Sequence, residues 1–189
     1  EIRTPLNSII GFSGILTQSS GISEADRRHV AAIASSSSAL LAIVNDILDF
    51  SAVEAGSVLL DERPMSPSEI VTQAVATLRP QADAKGLRLI TKADPSIAPL
   101  IGDGGRLRQA VVNLVSNAIK FTQAGAVATT VTATTTPGAK LKLRISVEDT
   151  GIGIAQDQLP KLFTRFSQLD GAASRRAGGS GLGLAVTKS

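Results

Sequence analysis

Residues 106–122 read RLRQAVVNLVSNAIKFT, and their spacing sets the frame for the rest of the chain. Leu107, Val111, Leu114, Ala118 and Phe121 recur in steps of three and four, which predicts a helix over 106–121 with one apolar stripe. At 100° per residue, Asn113, Asn117 and Lys120 fall within about 60° of one another beside that stripe. An amide oxygen is a hard ligand that suits magnesium, and a lysine offers phosphates a point charge. The three therefore suit a metal-bound polyphosphate, although a plain solvated polar face has the same composition.

Working outward, LRLIT (87–91) reads as a strand and residues 67–79 as a helix with Ile70, Ala74, Val75 and Leu78 on one side. SVLLD (57–61) is strand-like. Downstream, AVATTVTATTT (126–136) and KLKLRISVED (140–149) flank PGA, a hairpin signal. A short helix over 159–166 precedes a loop rich in Gly, Ser and Arg. Helix and strand alternate without a strict βαβ rhythm, so the fold class is α+β.

The first residues differ in character. Ile2, Leu6, Ile9, Phe12 and Leu16 form a helical stripe already running at residue 1, and TQSSGIS (17–23) breaks it. Ser23, with acids following, starts a second helix in which Val30, Ile33, Ser37, Leu40, Val44, Ile47 and Ser51 keep heptad spacing, widened by Leu41 and Leu48. One hairpin cannot cover both apolar faces. The simplest partner is a second copy, giving a dimeric four-helix bundle; the alternative is a helix pair covered by the chain's own second half. VEAGS (53–57) marks the expected boundary, with domains at 1–55 and 56–189. Both ends interrupt apolar runs, so the expectation is a fragment truncated on each side.

Composition narrows the function classes. The 189 residues are 43% hydrophobic, with five Phe and no Trp or Tyr, so the core is aliphatic and base-stacking on single strands is not expected. A formal charge of +3 without a long basic run does not imply a nucleic-acid surface. Zero cysteines exclude disulfides and thiolate metal sites. No apolar run reaches the length of a membrane span.

Two further stretches carry chemistry. In SVEDTGIGI (146–154) a strand runs into Asp149, and the glycines after it permit a turn and close approach of a flat ligand. A carboxylate there can accept a hydrogen bond from an exocyclic amine such as adenine's. Asp-Thr-Gly is also the aspartic-protease triplet, which requires a second facing carboxylate that only a homodimer would supply here. RRAGGSGLGLAV (175–186) is glycine-rich and leads into a helix, so its amides suit phosphate oxygens, or it is a flexible linker. It is neither a Walker A loop nor a Rossmann fingerprint.

Taken in order, EIRTPLN, NLVSNAIKFT, DTGIGI, LFTRF and GGSGLGL resemble the H, N, G1, F and G2 boxes of sensor histidine kinases. NDILDFSAVEAG (45–56) fits as well, and FSQLD (166–170) resembles hybrid members that carry a receiver domain. The resemblance implies a dimeric helical hairpin followed by a Bergerat-type α/β sandwich that binds ATP and Mg2+. The phosphoacceptor histidine would lie just before Glu1, with Glu1 helping to deprotonate it and Thr4 positioning water in dephosphorylation.

Further roles follow from the same resemblance. Asn113 and Asn117 would be magnesium-side residues and Lys120 a phosphate contact. Asp149 would hold the adenine amine, with Gly151 and Gly153 shaping the pocket. Gly179, Gly181 and Gly183 would form the mobile lid, Phe163 and Phe166 would anchor it, and Arg165 would reach the γ-phosphate. Implied partners are a second copy and a response-regulator receiver domain. The fragment is expected to be soluble and cytoplasm-facing, with membrane attachment of a longer parent left open. His29, without an acidic follower, reads as a solvent-facing or dimer-packing residue rather than a second acceptor. A non-catalytic dimeric scaffold with a degenerate nucleotide pocket is the alternative of a different class.

Overall fold

The computed structural model describes residues 2–54, 59–136, 140–163 and 183–188, and the chain divides into two compact units, Glu1–Ser57 and Val58–Ser189. No helix among the described residues is long and apolar enough to cross a membrane.

The first unit is a helical hairpin of α1 (Arg3–Gln18) and α2 (Glu24–Glu54). Ser23 starts α2 by accepting the backbone N–H of Asp26 at 3.1 Å, while its hydroxyl donates to the Asp26 carboxylate at 2.6 Å. The Arg27 guanidinium donates to the carbonyls of Thr17 and Ser19, satisfying acceptors that the end of α1 leaves open. The seam between the helices is lined by small or modest side chains. Leu6 and Ser13 of α1 and Ser37 of α2 are buried, with Ile10, Val30, Ala34, Leu41 and Val44 half-buried around them.

The hairpin by itself leaves most of both apolar stripes uncovered. Of the α1 stripe only Leu6 is buried; Ile2, Ile9, Phe12 and Leu16 stay exposed, as do Ile33, Leu40 and Ile47 of α2. Serines at the seam let the two backbones approach, and the larger apolar side chains are turned outward.

The second unit has two layers. β2 (Arg88–Ala93) pairs in parallel with β4 (Ala126–Thr136), which pairs antiparallel with β5 (Lys140–Asp149). On one face lie α3 (Pro67–Thr77) and α5 (Gly104–Phe121). The core between them is aliphatic: Val71, Ala74, Val75 and Leu78, then Val111, Val115, Ala118 and Ile119, against Val127 and Val131. α3 is capped by Ser66, whose side chain accepts the N–H of Glu69, and α5 by Asp103, whose side chain accepts the N–H of Arg106 at 3.0 Å.

Three details depart from the sequence reading. Of the strand expected at 57–61, residues 57 and 58 lie outside the described residues and 59–61 form no strand. The strand found is β1 (Arg63–Met65), paired antiparallel with β3 (Leu100–Gly102), which was not expected. Its position follows from Asp103, whose carboxylate also accepts the N–H of Asp61 at 3.1 Å and so leaves Leu59 and Leu60 exposed. The helix expected to end near residue 79 stops at Thr77, and α4 (Arg79–Ala84) begins afresh. Pro80 cannot continue a helix but suits the first turn of a new one. The short helix expected over 159–166 is a 3₁₀ turn, Leu159–Lys161, and its residues from 164 on lie outside the described residues. A last helix, α6, covers Gly183–Lys188.

Candidate functional site

α5 has two differently covered faces. Its buried arc centres on Val111, Val115, Ala118 and Ile119. Leu107, Leu114 and Phe121, expected in that arc, are only half-buried. The core face is thus rotated toward Val115 and Ile119, because α3 and the sheet both press on that side. Asn113, Asn117 and Lys120 lie on the opposite arc, yet they too are half-buried rather than solvated. At Asn113 the cover is α6: its Nδ2 donates to the carbonyl of Gly183 at 3.3 Å, across a sequence separation of 70. With Nδ2 engaged there, Oδ1 is the amide atom left to meet a ligand.

Lys120 sits with Nζ 5.0 Å from the centroid of the Phe121 ring. Burial pushes its pKa below the ordinary lysine value of 10.5, because a desolvated ammonium is disfavoured. An anion placed beside it would offset that cost. Among the described residues no group of three or more His, Cys, Asp and Glu could hold a metal ion. Amide oxygens alone do not form a metal cage, but they fit an ion that arrives on the phosphates of a nucleotide.

The C-terminal end of α5, about 12 Å along its axis from Asn113, meets the turn after β5. Asp149 Oδ1 accepts the N–H of Gly151 at 2.8 Å. A Cβ on Gly151 would stand 2.6 Å from the carbonyl oxygen of Phe121, so only glycine permits this approach. Gly153 has φ of 66°, a left-handed conformation that favours glycine. Ile152 and Ile154 around it are exposed at 62% and 49%, which places apolar surface beside an exposed carboxylate. That pairing suits an aromatic base carrying an amine.

Thr150 has a role that the sequence reading missed. Its hydroxyl accepts the N–H of Ala126 and donates to the carbonyl of Ala124, both at 3.1 Å, tying the Asp149 turn to the start of β4. The signal for Ile152 and Ile154 was visible in the alternation of GIGI; that for Thr150 was not, since its partners are backbone atoms of another segment.

Phe163 is placed beside α6, with Lys188 Nζ 5.3 Å from its ring centroid. Thr4 belongs to the other unit, exposed on the first turn of α1, where its carbonyl accepts the Ser8 hydroxyl at 3.1 Å. His29 is exposed on α2. Glu1, Arg165, Phe166, Gly179 and Gly181 lie outside the described residues.

Residues 102–189 match the family model described as histidine kinase-, DNA gyrase B-, and HSP90-like ATPase, and residues 1–56 match the His Kinase A (phospho-acceptor) domain. The Asp-Thr-Gly turn thus falls inside the matched ATPase segment. The chain is 42% identical over 190 residues to the sensor histidine kinase GacS of Pseudomonas protegens, covering all of this chain and 20% of the relative. To the signal transduction histidine-protein kinase BarA of Escherichia coli it is 40% identical over 189 residues, again covering all of this chain and 20% of the relative. The chain therefore spans about a fifth of the length of these curated relatives. A solved structure, full-length ShkA in complex with AMPPNP, is similar at a TM-score of 0.76 and 34% identity, covering 98% of this chain and 37% of that one.

Proposed function

The chain belongs to the sensor histidine kinase family, with a His Kinase A domain followed by the ATPase domain, and from that premise we propose that it is the core of an ATP-dependent protein-histidine kinase of a two-component system. One observation carries this reading: a single helix, α5, bonds Gly183 through Asn113 and receives the Asp149–Gly151 turn on the Phe121 carbonyl. Three stretches far apart in sequence thereby meet on one element. The likeness to ShkA, solved in complex with AMPPNP, supports nucleotide as the ligand.

In this reading Asp149 accepts the adenine amine while Ile152, Gly153 and Ile154 border the base. Lys120 contacts the phosphates, and Asn113 and Asn117 would hold Mg2+ through their amide oxygens. The ion, when bound, neutralises charge on the phosphate oxygens. The family resemblance would give Gly179, Gly181 and Gly183 a phosphate-facing role, with Phe163 and Phe166 as anchors and Arg165 as a γ-phosphate contact; of these only Phe163 and Gly183 fall among the described residues.

In this reading the acceptor would be a histidine at the position preceding Glu1. Its neutral imidazole nitrogen attacks the γ-phosphorus in line. The N–P bond forms as the P–O bond to the ADP leaving group breaks, and Glu1 takes the ring proton. The phosphoryl group then passes to a carboxylate of a response-regulator receiver domain, and Thr4 positions water when the reaction runs toward dephosphorylation. Two copies pair through the outward apolar residues of the hairpin.

The test is a chain extended upstream by a histidine and enough residues to complete α1. Incubated with γ-labelled ATP, it should acquire acid-labile phosphate. Glu1→Gln should slow labelling by about 10²–10⁴-fold, the usual worth of a positioned general base, and His29→Gln should leave it unchanged. Labelling that depends on His29 would overturn the acceptor assignment. A folded chain that binds no nucleotide would favour the scaffold reading instead.

A further inference from the structure

Lys85 belongs to none of the motifs above. It follows α4, and its ammonium donates to three carbonyls at the end of α5: Ile119 at 2.7 Å, Lys120 at 2.9 Å and Thr122 at 3.4 Å. These lie where a helix leaves its carbonyls without intrahelical donors and carries the negative end of its dipole. A lysine has three N–H donors and matches such a set. Between the three acceptors lies Phe121, whose carbonyl is the atom that Gly151 abuts.

The surrounding contacts close a knot of three segments. The Arg88 N–H donates to the Gly125 carbonyl at 3.0 Å, next to the Ala124 and Ala126 groups that bind the Thr150 hydroxyl. Residues 85–88, 119–126 and 149–151 are therefore fastened together, with Asp149 at the outer end. Lys85 itself is exposed, so truncating it removes little buried apolar area.

We propose that Lys85 is a positioning residue for base recognition: by clamping the last turn of α5 it fixes the Phe121 carbonyl on which the Asp149–Gly151 turn is seated. This rests on the reading of Asp149 as the adenine contact. A carboxylate held in place accepts from the amine of adenine and repels the carbonyl that guanine presents at the corresponding position. A carboxylate free to shift loses both effects.

The experiment compares the intact chain with Lys85→Met and Lys85→Arg, displacing a fluorescent ATP analogue with ATP and with GTP and recording each ligand-free melting midpoint. The original chain should prefer ATP. Lys85→Met should lose about tenfold in ATP affinity, the scale of one hydrogen bond to a charged group, with little change for GTP. Lys85→Arg should recover part of the preference. Should the methionine variant fail to fold, Lys85→Gln, which keeps an amide donor, serves in its place. An unchanged ATP-to-GTP ratio in a variant without the ammonium would overturn the proposal, whatever happens to the melting midpoint. A parent chain that does not discriminate between the two nucleotides would instead remove the Asp149 reading and this proposal with it.

Discussion

Thr129 sits on β4 between Thr91 of β2 and Val147 of β5, fully buried, and its hydroxyl has no hydrogen-bond partner among the described residues. Burying an unpaired hydroxyl is unfavourable, and a methyl of nearly the same shape carries no such cost. Thr129→Val should therefore stabilise the second unit by roughly 1 kcal/mol, read as a higher urea midpoint with unchanged slope. A lower midpoint would mean that the hydroxyl has a partner after all. The same residue shows what sequence can and cannot tell. The run AVATTVTATTT announced a strand, and its alternation puts Thr129 on one face with Val127 and Val131, but nothing in it shows that the hydroxyl is left without a partner. Asn113, Asp149 and Gly151 were legible because their types and spacing are unusual within their elements. Lys85 and Thr150 were not, since their partners are backbone atoms supplied by remote segments, and a backbone leaves no residue-type signal.

Among the elements, α5 carries the site, and its start depends on Asp103. The N–H groups of Arg106 and then Asp61 hold the Asp103 carboxyl below its ordinary value of 3.8. A folded-state pKa depressed in this way adds stability above the unfolded value, and that stability is lost as pH falls through the depressed pKa. Asp103→Ala should cost about 1 kcal/mol at pH 7, the usual worth of an N-cap, and less at pH 3. Asp103→Asn should keep most of the cap and flatten the acid dependence. Urea unfolding at both pH values checks this, and a cost for the alanine variant that grows toward acid would contradict it. The sequence located α5, β4 and β5 closely because strong periodicity and a clear turn signal bounded them. It missed β3, which is too short to show a period. It also misplaced the buried arc of α5, since periodicity gives the existence of a face but tertiary neighbours set its rotation.

For the whole molecule, the first unit leaves Phe12 and Ile15 each 66% exposed, with Ile2, Ile33 and Leu40 also open. Side chains of this size at helical spacing need cover, which the proposed pairing of two copies would supply symmetrically. Phe12→Glu should convert a dimer into a monomer in sedimentation equilibrium while helix content stays near its original value; an unaltered mass would place the dimer contact elsewhere. The measurement that bears most directly on the kinase reading is titration of this 189-residue chain with a fluorescent ATP analogue, with magnesium and in chelator, beside Asp149→Asn. Saturable binding, displaced by ATP, strengthened by magnesium and weakened in the variant by roughly 1.5–3 kcal/mol, about 10- to 100-fold, is the expected result. A folded chain that binds no nucleotide, or binds it equally well after the Asp149 substitution, would contradict the account.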